Sequence, residues 1–141
     1  MRFKVALRLA PGLRAELPAI QALVSSELSE PYSVFTYRHF VHTWPQLCFV
    51  ARTTASGCVG CTVCKQEKTR GYIAMVVVSQ RFRGRRLGTT LVRHAIEQMA
   101  LDGASEVSLE AEATNIAALT LYNRLGFIRD KRLEKCAPLL P

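Results

Sequence analysis

Polar and apolar residues alternate from the first positions of the chain. Phe3, Val5, Leu7 and Leu9 are interleaved with Arg2, Lys4, Ala6 and Arg8, the period of a half-buried strand. Pro11-Gly12 breaks that pattern, and the spacing then changes. Leu13, Leu17, Ile20, Leu23, Val24 and Leu28 recur at helical spacing, which predicts an amphipathic helix over 13–28. Ser29-Glu30-Pro31-Tyr32 reads as a loop, because the residue before a proline avoids helical geometry. A second helix is expected over 34–44, stopped by Pro45. Segments 47–53 and 58–66 read as strands joined at Ala55-Ser56-Gly57, a hairpin. Segment 72–78 is so uniformly apolar that it belongs inside a sheet.

The pattern then returns to a helical period. Leu87, Leu91, Ala95, Ile96 and Met99 form the stripe of a helix over 86–101, with Gly103 placed to cap its C-terminus. Val107, Leu109 and Ala111 alternate with Glu106, Ser108, Glu110 and Glu112, a strand with one acidic face. Thr114 or Asn115 caps a further helix that runs to Leu125 and stops at Gly126. Phe127-Ile128 starts one more candidate strand. No repeat or linker divides the sequence. The expectation is a single α/β (α+β) domain over 1–141, with a central, mostly antiparallel mixed sheet flanked by helices.

A chain of 141 residues can bury one core without staples. No stretch approaches ~18 uninterrupted apolar residues, so a membrane-spanning helix is not expected. The N-terminal segment reads as a strand rather than a secretory leader. Five cysteines, an odd count without such a leader, argue for reduced thiols and a cytoplasmic setting. Cys58, Cys61 and Cys64 form CxxCxxC, but no nearby fourth Cys or His completes a metal set. On a regular strand Cys58 and Cys64 share one face and Cys61 points to the other, so no metal site is expected. A net charge of +8 fits either an ordinary soluble, mildly basic domain or an anionic partner, a phosphorylated cofactor or RNA-rich machinery such as the ribosome. Basic residues gather at Arg81, Arg83, Arg85 and Arg86, and again at Arg129, Lys131 and Arg132. No nucleic-acid motif accompanies them, so specific nucleic-acid recognition is not expected.

Candidate chemistry lies between Tyr72 and Arg132. A strand runs into SQRFRGRRLGTT, an Arg/Gly-rich turn that opens a helix. Such a turn offers backbone N–H groups, a helix N-terminus and flexible glycine to a phosphate. Asn115 and Tyr122 stand seven residues apart, two helical turns, and so share a face. Taken alone, the turn is also an ordinary basic helix start, and Tyr122 is also a core aromatic beside Leu119 and Leu125.

The order strand, phosphate turn, helix, strand, Asn, Tyr resembles the core of the GNAT acetyltransferases. Arg83 and Gly88 fit the first and last positions of their signature Arg/Gln-x-x-Gly-x-Gly/Ala, while Arg86 stands where the family usually has glycine. Further stretches are similar to the catalytic subunits of NatC-type N-terminal acetyltransferases. These are Glu30-Pro31-Tyr32-Ser33, the segment TYRHFVHTWPQLCFVA, Arg70 to Met75, Leu109 to Glu112, and Arg124 to Leu133. The resemblance covers 25–133. It implies a GNAT fold, acetyl-CoA as cosubstrate without a metal, and acetylation of nascent protein N-termini that begin with Met and a large hydrophobic residue. It also implies two auxiliary subunits and ribosome association.

Residue roles follow from the same resemblance. Val76, Val77, Val78, Arg83, Gly84, Arg85, Arg86, Leu87, Gly88 and Thr89 are expected to contact the cofactor, with Asn115 on the CoA arm and Tyr122 near its sulfur. A thiolate of pKa about 8.5 is a leaving group that a phenol can protonate, which is the role for Tyr122. An α-amino group has a pKa of about 8, so a base of modest strength acting through water suffices. Glu110 is the candidate base and Glu112, on the same strand face, its substitute; both also read as solvated strand charges. Tyr72 is expected to line the peptide site and order the water. Glu30, Pro31 and Tyr32 are expected to receive the first residues of the substrate. A backbone N–H of the Val76–Val78 stretch meets the oxyanion.

Two departures qualify the resemblance. Arg86 still supplies a backbone N–H, and its guanidinium then touches a phosphate; where the position demands a positive φ, arginine strains it instead. After Leu133 the family continues with an aromatic-rich hairpin, which LEKCAPLLP does not match. The C-terminal hairpin is therefore expected to be missing, leaving a sheet edge uncovered and peptide binding weakened with CoA binding retained, or an edge on which another chain docks. Two other functions stay open: a GNAT enzyme acting on a lysine side chain or small amine, and a non-catalytic acetyl-CoA-binding or assembly subunit.

Overall fold

The computed structural model describes residues 4–7, 10–27, 34–53 and 56–128. The chain forms β1 (Lys4–Leu7), α1 (Ala10–Glu27), α2 (Val34–Thr43), a 3-10 turn at Pro45–Leu47, β2 (Phe49–Thr53) and β3 (Gly57–Glu67). It continues through β4 (Arg70–Val78), a 3-10 turn at Gln80–Phe82, α3 (Leu87–Leu101), β5 (Glu106–Leu109) and α4 (Ile116–Arg124). Pro11-Gly12 does not break the chain before α1 but lies in its first turn. A proline there lacks only an N–H that the first turn leaves unbonded in any case. The strand expected from residue 47 starts at Phe49, because the Leu47 N–H closes a turn on the Trp44 carbonyl at 3.0 Å.

The sheet has the order β1-β2-β3-β4-β5. The first four strands are antiparallel, and β5 runs parallel to β4. Parallel neighbours need a crossover, and α3 supplies it. On one face Cys61, Val63, Met75 and Val77 pack beneath Ile20, Leu23 and Val24 of α1 and Phe40 and Val41 of α2. On the other, Val59, Cys64 and Ile73 pack against Leu87, Leu91, Val92, Ala95 and Met99 of α3. Each large side chain fully buried in this way contributes about 1.5–3 kcal/mol. The bare Cα of Gly71 is what lets α3 lie so close, since a Cβ there would collide with the Met99 sulfur.

Two irregularities in the strands decide which side chains face where. Ala51 pairs with Gly60 and Arg52 with Cys58, so Val59 is an extra residue in β3. This bulge places Cys58 and Cys61 on the α1/α2 face and Cys64 on the α3 face. The alternation expected from the sequence, with Cys58 and Cys64 together, is therefore wrong. Burial pushes the Cys48 thiol up to about 12 and raises Cys61 and Cys64 as well, so all three stay protonated core residues. Among the described residues no group of three or more His, Cys, Asp or Glu is placed to hold a metal ion. No helix of the described residues is long and apolar enough to cross a membrane.

Candidate active site

The site begins where β4 and β5 part. Their pairing runs only from Arg70↔Glu106 to Ile73↔Leu109. Just beyond, Val63 pairs with Met75 while Cys64 pairs with Ile73, so Ala74 is an extra residue in β4. Such a bulge bends the strand and increases its twist. From there β4 stays bonded to β3 as far as Val78, and no described strand pairs with its other edge. Among the described residues, Val76, Val77 and Val78 thus lie along a strand edge with no strand partner.

The turn after β4 is anchored from several sides. The Ser79 N–H donates to the Val59 carbonyl at 2.8 Å. Phe82 is buried, with the Arg85 and Arg81 guanidinium carbons 5.4 and 5.9 Å from its ring centroid. Arg83 donates from Nε to the Val78 carbonyl at 3.2 Å. Gly84 has φ +78°, and Arg86, immediately before α3, has φ +59° and ψ 22°. The position held by Arg86 therefore does demand left-handed backbone, the strained alternative of the two. The first turn of α3 holds no acidic residue, so the helix dipole and the surrounding arginines act in the same direction. A Cβ on Gly88 would lie 3.3 Å from Leu121 Cδ2, so glycine allows α3 to meet α4 closely. An exposed, positive turn at a helix N-terminus beside an open strand edge fits an anionic pyrophosphate with an extended arm.

Tyr72, Glu110 and Tyr122 line one cleft of about 1520 Å³, whose apolar walls include Ile96, Leu109, Leu119 and Phe127. Because β5 ends at Leu109, Glu110 sits just past the strand rather than on its face. Partial burial raises its carboxyl above the ordinary range. Tyr122 packs edge-on to Phe127, with ring centroids 5.8 Å apart. Burial raises the Tyr122 phenol, and the nearby Cys64 thiol adds to the effect, so the hydroxyl keeps its proton. Tyr72 is 6% exposed and has the Lys65 ammonium 5.8 Å from its ring centroid.

Asn115 is the cap of α4, one of the two capping positions expected from the sequence, its Oδ1 accepting from the Ala118 N–H at 3.2 Å. Asn115 and Glu112 are exposed and do not line the cleft. Glu30, Pro31 and Tyr32 lie outside the described residues, as do Arg129, Lys131, Arg132 and the tail where the hairpin was expected to be missing. The sequence reading missed Lys65, although the two-residue turn at Lys68-Thr69 sets a register that puts it opposite Tyr72. It also missed Phe127 as a partner of Tyr122, for which no periodic signal exists.

A mixed sheet forked between a bulged strand and its parallel neighbour, with a basic turn at one end of the fork, defines a class. The profile of the acetyltransferase (GNAT) family matches residues 17–127, and the chain belongs to that family. A protein of Arabidopsis thaliana named N-alpha-acetyltransferase MAK3 is 56% identical over 121 residues, covering 83% of this chain and 63% of that one. N-alpha-acetyltransferase 30 of Homo sapiens is 50% identical over 123 residues, 84% of this chain and 34% of that one. The chain thus spans less than two thirds of the length of these curated relatives. A chain in the crystal structure of the NatC complex bound to Gag peptide and CoA superposes with a TM-score of 0.87 at 37% identity, covering 94% of this chain and 89% of that one.

Proposed function

We propose that this chain transfers the acetyl group of acetyl-CoA to the α-amino group of protein N-termini, with Met followed by a large hydrophobic residue as the preferred start. The observation that carries the reading is the single cleft at the β4–β5 fork onto which Tyr72, Glu110 and Tyr122 all open. Similarity to proteins named N-alpha-acetyltransferase and to a NatC complex with peptide and CoA supports it. Auxiliary subunits of NatC type, nascent chains at the ribosome and a cytoplasmic setting belong to the same reading.

Acetyl-CoA supplies the activated acyl group, a thioester. The turn from Arg83 to Thr89 and the free end of α3 hold its phosphates, and Asn115 retains amide N–H groups for the CoA arm. Glu110 takes up, through a water ordered by Tyr72, the proton that the attacking amine loses. As the nitrogen–carbon bond forms and the carbon–sulfur bond breaks, Tyr122 gives its proton to the departing sulfur. Backbone N–H groups of Val76–Val78 meet the negative oxygen. Burial suits both titrating groups: Glu110 becomes a stronger base than an ordinary carboxylate, and Tyr122 stays a phenol. Glu30, Pro31 and Tyr32 receive the first residues of the substrate.

A non-catalytic acetyl-CoA-binding subunit is the second reading, favoured by the left-handed Arg86 in the phosphate turn and opposed by the cleft residues. The test is acetyl transfer to peptides beginning Met-Leu, Met-Phe and Ser-Ala and to an N-blocked lysine peptide, with the product located by mass spectrometry. Acetate on the N-terminus of Met-Leu and Met-Phe alone is expected. Transfer to the lysine peptide points instead to another amine as substrate. Acetyl-CoA binding with no transfer, alone or with co-purifying subunits, selects the non-catalytic reading.

A further inference from the structure

Lys65 and Tyr72 are direct partners across β3 and β4. The Lys65 side chain is only 14% exposed, unusual for a residue that ordinarily keeps its charge in water. Its Nζ lies 3.1 Å from Glu67 Oε1 and 5.8 Å from the Tyr72 ring centroid, so the ammonium is held between a carboxylate and a phenol. Tyr72 in turn pairs with Ser108 of β5, two residues before Glu110, and lines the same cleft as Glu110 and Tyr122. The contact therefore adjoins a residue of the cleft wall.

We propose that Lys65 is a positioning residue for acetyl transfer, holding the Tyr72 ring and polarising its hydroxyl toward the water between substrate amine and Glu110. This rests on the function proposed above. A cation beside the ring is attracted to its π-face and restricts the ring's motion. It also draws electron density from the phenol, which makes the hydroxyl a stronger hydrogen-bond donor. An apolar residue would fill the space between β3 and Tyr72 at lower desolvation cost, so packing alone does not call for a lysine.

The test combines Lys65→Met, Lys65→Arg, Tyr72→Phe and the double variant Lys65→Met/Tyr72→Phe. Readouts are kcat and KM for a Met-Leu peptide, acetyl-CoA affinity by calorimetry, and Tm. Lys65→Met is expected to lower kcat about tenfold, the scale of a desolvated cation–π contact, with KM and acetyl-CoA affinity unchanged. Lys65→Arg should restore most of the rate. In the Tyr72→Phe background, Lys65→Met should cost nothing further. Equal losses in both backgrounds, or an arginine variant no better than methionine, would overturn the proposal. A wild-type chain that acetylates no peptide overturns its catalytic purpose, whereas the contact itself is read separately from carbon-13-labelled tyrosine. There Lys65→Met should shift the Tyr72 phenol resonance, and no shift removes the contact.

Discussion

The backbone of Arg86, at φ +59° and ψ 22°, lies where an L-residue's Cβ crowds the following carbonyl. Glycine has no such cost, so Arg86→Gly is expected to stabilise the chain by about 1 kcal/mol. For a chain of this size that raises Tm by about 3 °C, which differential scanning calorimetry resolves. Acetyl-CoA affinity should stay within about threefold, because the backbone N–H groups that cradle phosphate remain in place. A gain of more than about tenfold would mean that the arginine blocks the turn, and would favour the non-catalytic reading. The sequence revealed the substitution but not its sign, since φ is set by how the Gly84–Leu87 segment must turn from Phe82 into α3. The cysteines repeat the lesson: CxxCxxC was plain to read, but a single extra residue in β3 decided which thiols share a face.

At the scale of elements, α4 hangs on its cap. Asn115 Oδ1 accepts the Ala118 N–H, and the helix it starts carries Tyr122 into the cleft. Asn115→Ala should cost about 0.5–2 kcal/mol of stability and lower kcat together with it. Asn115→Asp caps equally well, so Tm should hold while the added negative charge weakens acetyl-CoA binding roughly tenfold. An aspartate variant with parental acetyl-CoA affinity would separate Asn115 from the cofactor and leave it only its cap. Most elements were legible because periodicity reports directly on burial: the stripe Leu87, Leu91, Ala95 and Met99 is buried as spaced. Boundaries were less so. Pro11-Gly12 sits inside α1, where the first turn tolerates a missing N–H, and Pro45 starts a 3-10 turn that delays β2.

At the scale of the whole molecule, the fold brings together two titrating groups that are far from alike. Glu110 must lose its proton to act and Tyr122 must keep its own, and both are raised by burial. With saturating substrates, kcat should therefore rise with pH through a limb above the ordinary carboxylate value of about 4.3. It should fall only above the ordinary phenol value of about 10. Glu110→Gln should abolish the lower limb and reduce kcat by about 10²-fold or more; a limb unmoved by that substitution would assign the proton uptake to another group. The linkage to stability has the opposite sense. A carboxyl raised in the fold contributes stability below its unfolded value of about 4.3, and that contribution is lost as pH rises through the raised value. Glu110→Gln should thus be no less stable than the parent at neutral pH. Local spacing along the chain encoded the element order, the two core-facing helix stripes and the basic turn, because these depend on neighbours within a few positions. The fork between β4 and β5 and the meeting of Tyr72, Glu110 and Tyr122 in one cleft arose only when the chain packed. Those depend on single-residue bulges and on packing between segments distant in the chain, which no local period encodes.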